Sequence, residues 1–282
     1  MTSLISVEDL HQHKHDPDWI VMDASWHMPA SGIDGYQQWQ QARIENARFF
    51  DFDRVICAQD TDLPHMLPEP GDFTSELRKL GVNHNSMLVF YDNQGIFSSP
   101  RAWWMMRVMG HERCAVLDGG LVAWKQAGLK LVSGYPSDPV KPGDFVAQLS
   151  PSWLSNADDV LKAMDQADVS IIDARSQARF MGLAPEPRAG LKCGHIPNSA
   201  NLPFEQVVEN GRMKSPGEID RFLSQLAHSE QHIIFSCGSG VTASILAFAA
   251  HLAGYRRISV YDGAWAQWGG ESGFPIVAAQ NE

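Results

Sequence analysis

Short apolar runs alternate with longer stretches of helical periodicity along most of the chain. In the C-terminal half, VSIIDA (169–174), HIIFS (232–236) and ISVYDG (258–263) read as strands. They are brief and rich in Val and Ile, with little alternation to polar residues, which is the pattern of parallel strands buried on both faces. Between and before them, ADDVLKAMDQ (157–166), GEIDRFLSQLA (217–227) and TASILAFAAHLAG (242–254) read as helices. Asn156 is placed to cap the first of these. Ile245, Leu246, Phe248, Ala249 and Leu252 give the last a broad apolar face, and Gly254 suits its C-terminal cap. Such alternation predicts an α/β fold with a parallel sheet flanked by helices, in which ligands bind beyond the carboxyl ends of the strands.

The pattern occurs twice. IVMDA (20–24) matches SIIDA (170–174), RIENARFFDF (43–52) matches HIPNSANLPF (195–204), LVFYDNQG (88–95) matches IIFSCGSG (233–240), and VLDGGLVAW (116–124) matches VYDGAWAQW (260–268). The four matches keep their order and nearly their offset, so the chain reads as a duplicated domain. SGYPSDPVKPGDF (133–145) is rich in proline and glycine and reads as the connection. The expected division is a domain over 1–135, a linker over 136–147 and a second domain over 148–282.

Composition narrows the class. The chain has 282 residues, of which 44% are apolar, enough for two ordinary cores. A net charge of −11 argues against nucleic acid as a partner, and means that any small anion must be met by locally gathered arginines. The four cysteines (Cys57, Cys114, Cys193, Cys237) form no metal-ligand spacing, so neither a metal nor a bound cofactor is expected. The N-terminus lacks an apolar signal core and no stretch is long enough to span a bilayer, so a soluble cytoplasmic protein without membrane contact is expected. That reducing setting would keep thiols free. A monomer is the default expectation.

The stretch richest in candidate chemistry is IIFSCGSGVTA (233–243). An apolar strand runs into Cys237, then into Gly238, Ser239 and Gly240, then into a helix beginning near Val241 and Thr242. A loop of this build can direct several backbone N–H groups at one atom, and the helix adds its positive end to the same place. A thiol there should ionise readily, and the thiolate is the nucleophile. The bland alternative is a buried core thiol in a tight strand-to-helix turn. In the first half the matching position is Asp92, so that loop is expected to be catalytically silent.

With CGSGVTA, GHIPNSANLPF, VYDGAWAQW and PHMLP together, the chain resembles the rhodanese superfamily, in particular its 3-mercaptopyruvate sulfurtransferase branch, over essentially its whole length. The resemblance implies two tandem rhodanese-like domains, the first silent, and a cysteine that becomes a persulfide. It implies that Cys237 takes sulfur from 3-mercaptopyruvate, releases pyruvate and passes the sulfur to a thiol, thioredoxin or cyanide. It implies that the amides of Gly238 through Thr242 (Gly240 and Val241 among them) stabilise the sulfur anion. It further implies that Arg179 and Arg188 grip the carboxylate and ketone oxygen, a task suited to guanidinium forks. The alternative for either arginine is an ion pair or a solvated surface charge. Ser239, His65 and Asp53 are the candidates for a proton relay, and for His65 and Asp53 the alternative is a polar wall. Arg175 reads as a structural partner of Asp173, His195 as fixing a turn, Cys193 as a surface thiol, and Trp103, Trp104, Met105 and Met106 as core and domain interface.

Three rival functions are weighed. Thiosulfate sulfurtransferases resemble this chain but usually carry basic side chains at the two positions after the cysteine, where Gly238 and Ser239 stand. Losing two cations should cost several kcal/mol of dianion binding at roughly 1.5–3 kcal/mol per charged hydrogen bond. A cysteine phosphatase needs a larger loop closed by an arginine, and none occurs between Cys237 and Arg256. A non-catalytic sulfur carrier would not need the arginine pair.

Overall fold

The computed structural model describes residues 2–135, 139–270 and 273–278. The chain divides into two compact units, the first formed by 1–60, 67–150 and 210–213 and the second by 61–66, 151–209 and 214–282.

In the first unit, β1 (Leu4–Ile5), β2 (Trp19–Asp23), β3 (Arg48–Phe49), β4 (Met87–Tyr91) and β5 (Cys114–Leu117) form a wholly parallel sheet in the order β1-β5-β4-β2-β3. Helices α1 (Val7–His13), α2 (Gly35–Gln41), α3 (Pro70–Lys79), α4 (Ser99–Val108) and α5 (Gly120–Gln126) flank it. Strand β4 is buried at every residue, as its unbroken apolar run requires. The expected core residues Trp103, Trp104, Met105 and Met106 lie on α4 and are fully buried. Arg101 of the same helix is buried with them, its guanidinium over the Trp104 ring at 4.4 Å.

The second unit repeats the plan. Strands β6 (Leu154–Ser155), β7 (Val169–Asp173) and β8 (Ala200–Asn201) are joined in one parallel sheet by β11 (His232–Ser236) and β12 (Ile258–Tyr261), in the order β6-β12-β11-β7-β8. Two further short strands, β9 (Val208–Glu209) and β10 (Arg212–Met213), stand outside these sheets. The helices are α6 (Ala157–Ala163), α7 (Gln177–Phe180), α8 (Pro216–Leu223), α9 (Val241–Leu252) and α10 (Ala264–Trp268). Asn156 caps α6 through a full capping box with Asp159, and Gly254, just past α9, has φ +97°. Register is the same in both units: Asp23 lies beside Tyr91, and Asp173 beside Ser236, at the carboxyl edge of each sheet.

Several expectations change in detail, and helix α6 ends at Ala163 rather than at Gln166. Helix α8 stops at Leu223 rather than near Ala227, because the Leu226 amide turns back onto the Leu223 carbonyl at 2.9 Å. The stretch read as a linker, of which 136–138 lie outside the described residues, carries structure further on. Phe145 is 2% exposed and packs edge-on against Phe73 and His111, while the amides of Gly143 and Phe145 bond the carbonyls of Arg78 and Val82. Residues 139–150 thus belong to the first unit.

Candidate active site

Strand β11 delivers Cys237 to the carboxyl edge of the second sheet. The residue is 1% exposed. Its carbonyl accepts the Trp265 amide at 2.8 Å and the Gly238 carbonyl accepts the Ala266 amide at 2.9 Å, so α10 holds the loop from behind. Gly240, with φ +80°, makes the turn into α9, a conformation open to glycine and costly for other residues. The amides of Gly238 through Ala243 find no acceptor among the described residues. They are the first N–H groups of a twelve-residue helix and the turn before it, which is an anion-binding arrangement. Ser239 is 5% exposed, Val241 is buried and Thr242 is half-buried.

The first unit shows what such an arrangement takes when an acid replaces the thiol. Asp92 follows β4 as Cys237 follows β11 and is fully buried. Its carboxylate accepts the amides of Gln94, Phe97, Ser98 and Ser99 at 2.9–3.0 Å and the Ser99 hydroxyl at 2.7 Å. Burial pushes its pKa up, against these hydrogen bonds.

Arg179 sits on α7. Its Nη2 lies 3.0 Å from the point a Cβ on Gly238 would occupy, which brings the guanidinium against the cysteine loop. Arg188 lies on the segment that follows α7, with its Nη2 3.4 Å from Nε2 of His65. His65 is 2% exposed and held at φ +60°. Asp53 belongs to the first unit, where it lines a cavity of about 40 Å³ with Trp26, Phe50 and Phe52 and lies 3.9 Å from Arg54. The second-unit contacts therefore join Arg179 to the loop and Arg188 to His65.

Arg175 is the structural arginine expected, paired with Asp173 at 2.6 Å. It also donates to the Gly194 carbonyl at 2.8 Å and lies over the Trp265 ring at 4.1 Å. Burial works against its charge, but Asp173 and Glu186 outweigh burial and raise its pKa above the ordinary value. His195 stacks on Phe180 with ring centres 3.9 Å apart and bonds the Phe180 carbonyl at 2.8 Å, fixing the end of α7 beside Arg179. Cys193 is exposed.

Sequence reasoning missed Glu186. Its carboxylate accepts Arg179 Nε at 3.2 Å and Nη2 at 2.5 Å, and Arg175 Nη1 at 2.8 Å, while its side chain is only 1% exposed. The available signal was an acid set between two prolines, Pro185 and Pro187, in the segment that carries both candidate arginines.

Comparison with known proteins agrees with this architecture. The rhodanese-like domain model matches residues 6–127 and again 156–271. The chain is 37% identical to the 3-mercaptopyruvate sulfurtransferase of Escherichia coli strain K12, covering 98% of each. It is 38% identical to the mitochondrial thiosulfate/3-mercaptopyruvate sulfurtransferase 1 of Arabidopsis thaliana, over 99% of this chain and 79% of that one. Among solved structures, SseA from Escherichia coli, a 3-mercaptopyruvate sulfotransferase, superposes with a TM-score of 0.84 at 36% identity, covering 94% of this chain and 99% of that one. With two matched domains, two parallel sheets of one strand order and a cysteine loop at the carboxyl edge of the second, this chain belongs to the rhodanese-like family.

Proposed function

We propose that the protein is a 3-mercaptopyruvate sulfurtransferase working through a persulfide on Cys237. The observation that carries this reading is the pairing of a buried cysteine with unengaged loop amides and an arginine packed against the same loop. The Cys237 thiolate attacks the substrate sulfur. The C–S bond breaks with its electron pair going to carbon, giving the enolate of pyruvate, and the outer sulfur stays as Cys–S–S⁻. The proton released from the substrate thiol ends on the pyruvate methyl carbon. An acceptor thiolate, a reduced thioredoxin or cyanide then attacks the outer sulfur and returns Cys237 as thiolate.

The amides of Gly238, Gly240, Val241 and Thr242 stabilise both sulfur anions, with little reorganisation because the loop is already shaped. Arg179 and Arg188 hold the carboxylate and ketone oxygen. Ser239 and His65 serve the proton transfer, with Asp53 as a further candidate. The chemistry needs no cofactor besides the cysteine itself. Among the described residues no helix is long and apolar enough to cross a membrane, and no cluster of His, Cys, Asp and Glu is suited to a metal. A monomer in the reducing cytoplasm, with no nucleic-acid or membrane partner, completes the reading.

The test is intact-mass analysis after mixing with 3-mercaptopyruvate. One added sulfur atom on the peptide holding Cys237, absent in Cys237→Ser along with pyruvate release, is the expected result. Turnover by Cys237→Ser near the parent rate would refute it.

A further inference from the structure

Glu186 takes no part in the sulfur chemistry above, yet it is the most enclosed acid in contact with Arg179. We infer that Glu186 is a positioning residue, which locks the Arg179 guanidinium against the Cys237 loop and decides which of its N–H groups a substrate anion meets. The inference rests on the reading of Arg179 as a substrate-binding group.

An arginine on the four-residue helix α7 is held weakly by its own backbone, and its side chain is 24% exposed. Left alone it would sample many rotamers and lose that freedom on gripping a ligand. Glu186 removes most of that freedom beforehand. Its two oxygens take Nε and Nη2 of Arg179 side by side, the in-plane fork geometry. The carboxylate is in turn fixed, because its Oε1 also accepts Nη1 of Arg175. Arg175 has no room to move between Asp173, the Gly194 carbonyl and the Trp265 ring. Position is thus relayed from the end of β7 through Asp173, Arg175 and Glu186 to Arg179, and so to Gly238.

Donor accounting gives the consequence. A guanidinium has five N–H groups. Glu186 engages Nε and one on Nη2, which leaves the two on Nη1 and the second on Nη2. An incoming carboxylate or ketone oxygen therefore meets the far edge of the guanidinium. The two guanidinium charges are also balanced by Asp173 and Glu186, so Arg179 contributes directed hydrogen bonds more than net charge.

A double-mutant cycle tests this, using steady-state kinetics with 3-mercaptopyruvate on Glu186→Gln, Arg179→Ala and the double variant, with a melting curve for each. Gln removes the charge and one accepting oxygen. Glu186→Gln is expected to raise KM about tenfold while kcat stays within about threefold, and the double variant should match Arg179→Ala within about twofold. A merely structural role would lower kcat and the melting temperature with KM little changed, and would add to the Arg179→Ala effect. If Glu186→Gln does not fold, Glu186→Asp, which keeps the charge and loses reach, takes its place with the same non-additivity expected. An unchanged KM in the Glu186 variant, or additive effects, overturns the inference and leaves the Arg179 reading standing. An unchanged KM in Arg179→Ala overturns that reading, and the inference with it.

Discussion

Gly238 matters for what it leaves out. The missing Cβ would stand 3.0 Å from Arg179 Nη2, a guanidinium nitrogen that Glu186 already holds. A side chain here obliges the Arg179 guanidinium to give way by a few tenths of an ångström. The sequence reading set this glycine against the basic side chain that the resemblance implies for thiosulfate enzymes, and the close approach of Arg179 adds a steric side to that contrast. Gly238 does not use the left-handed backbone region, so alanine costs the loop little. Gly238→Ala should raise KM for 3-mercaptopyruvate about fivefold with an unchanged melting temperature, read from steady-state kinetics beside a thermal scan. The cysteine loop was legible in the sequence because strand, thiol, glycines and helix follow one another without a gap. Glu186 was not, because its meaning depends on Arg175, Arg179 and Gly238 meeting it in space, and no periodicity in A-P-E-P announces that.

Elements were legible where local chemistry decides them. The Asn156 cap was read from the sequence, and its side chain does accept the Asp159 amide at 3.0 Å while the Asp159 carboxylate returns a bond to the Asn156 amide. Asn156→Ala should lower stability by about 1 kcal/mol, measured by urea unfolding, with kcat and KM unchanged. Elements were misjudged where tertiary contacts decide them. Helix α8 stops short although Leu226 and Ala227 continue its apolar pattern, because a tight turn suffices to bury Ala227 at 5% exposure. Phe145 was hidden by its company. The prolines and glycines before it mark a connection, and they say nothing of an aromatic ring landing between Phe73 and His111.

Across the molecule, duplication kept the frame and let the strand ends diverge. Both sheets share one strand order, and both have an aspartate at the end of the second of their longer strands' pairing partners, Asp23 beside Tyr91 and Asp173 beside Ser236. Asp173 has the Arg175 guanidinium, whereas the corresponding residue for Asp23 is Ser25, which supplies only a backbone amide at 2.9 Å and its hydroxyl. Burial accordingly raises the Asp23 carboxyl to about 7, against hydrogen bonds from Ser25 and Tyr91, with Asp92 adding a like charge. A carboxyl raised in the folded state holds a proton that the unfolded chain has already released, so stability falls as pH climbs from the ordinary carboxylate range through about 7. Asp23→Asn removes that dependence. Its melting temperature should gain on the parent between pH 5 and pH 8, and parallel profiles would count against the assignment. The Asp92 carboxylate has a wider consequence. Tethered to the chain and already bonded, it meets its amides without the loss of translational freedom that a dissolved anion would suffer. The first copy is a lock with the key broken off inside it, and sulfite, sulfate or phosphate in the medium finds no vacancy there to fill.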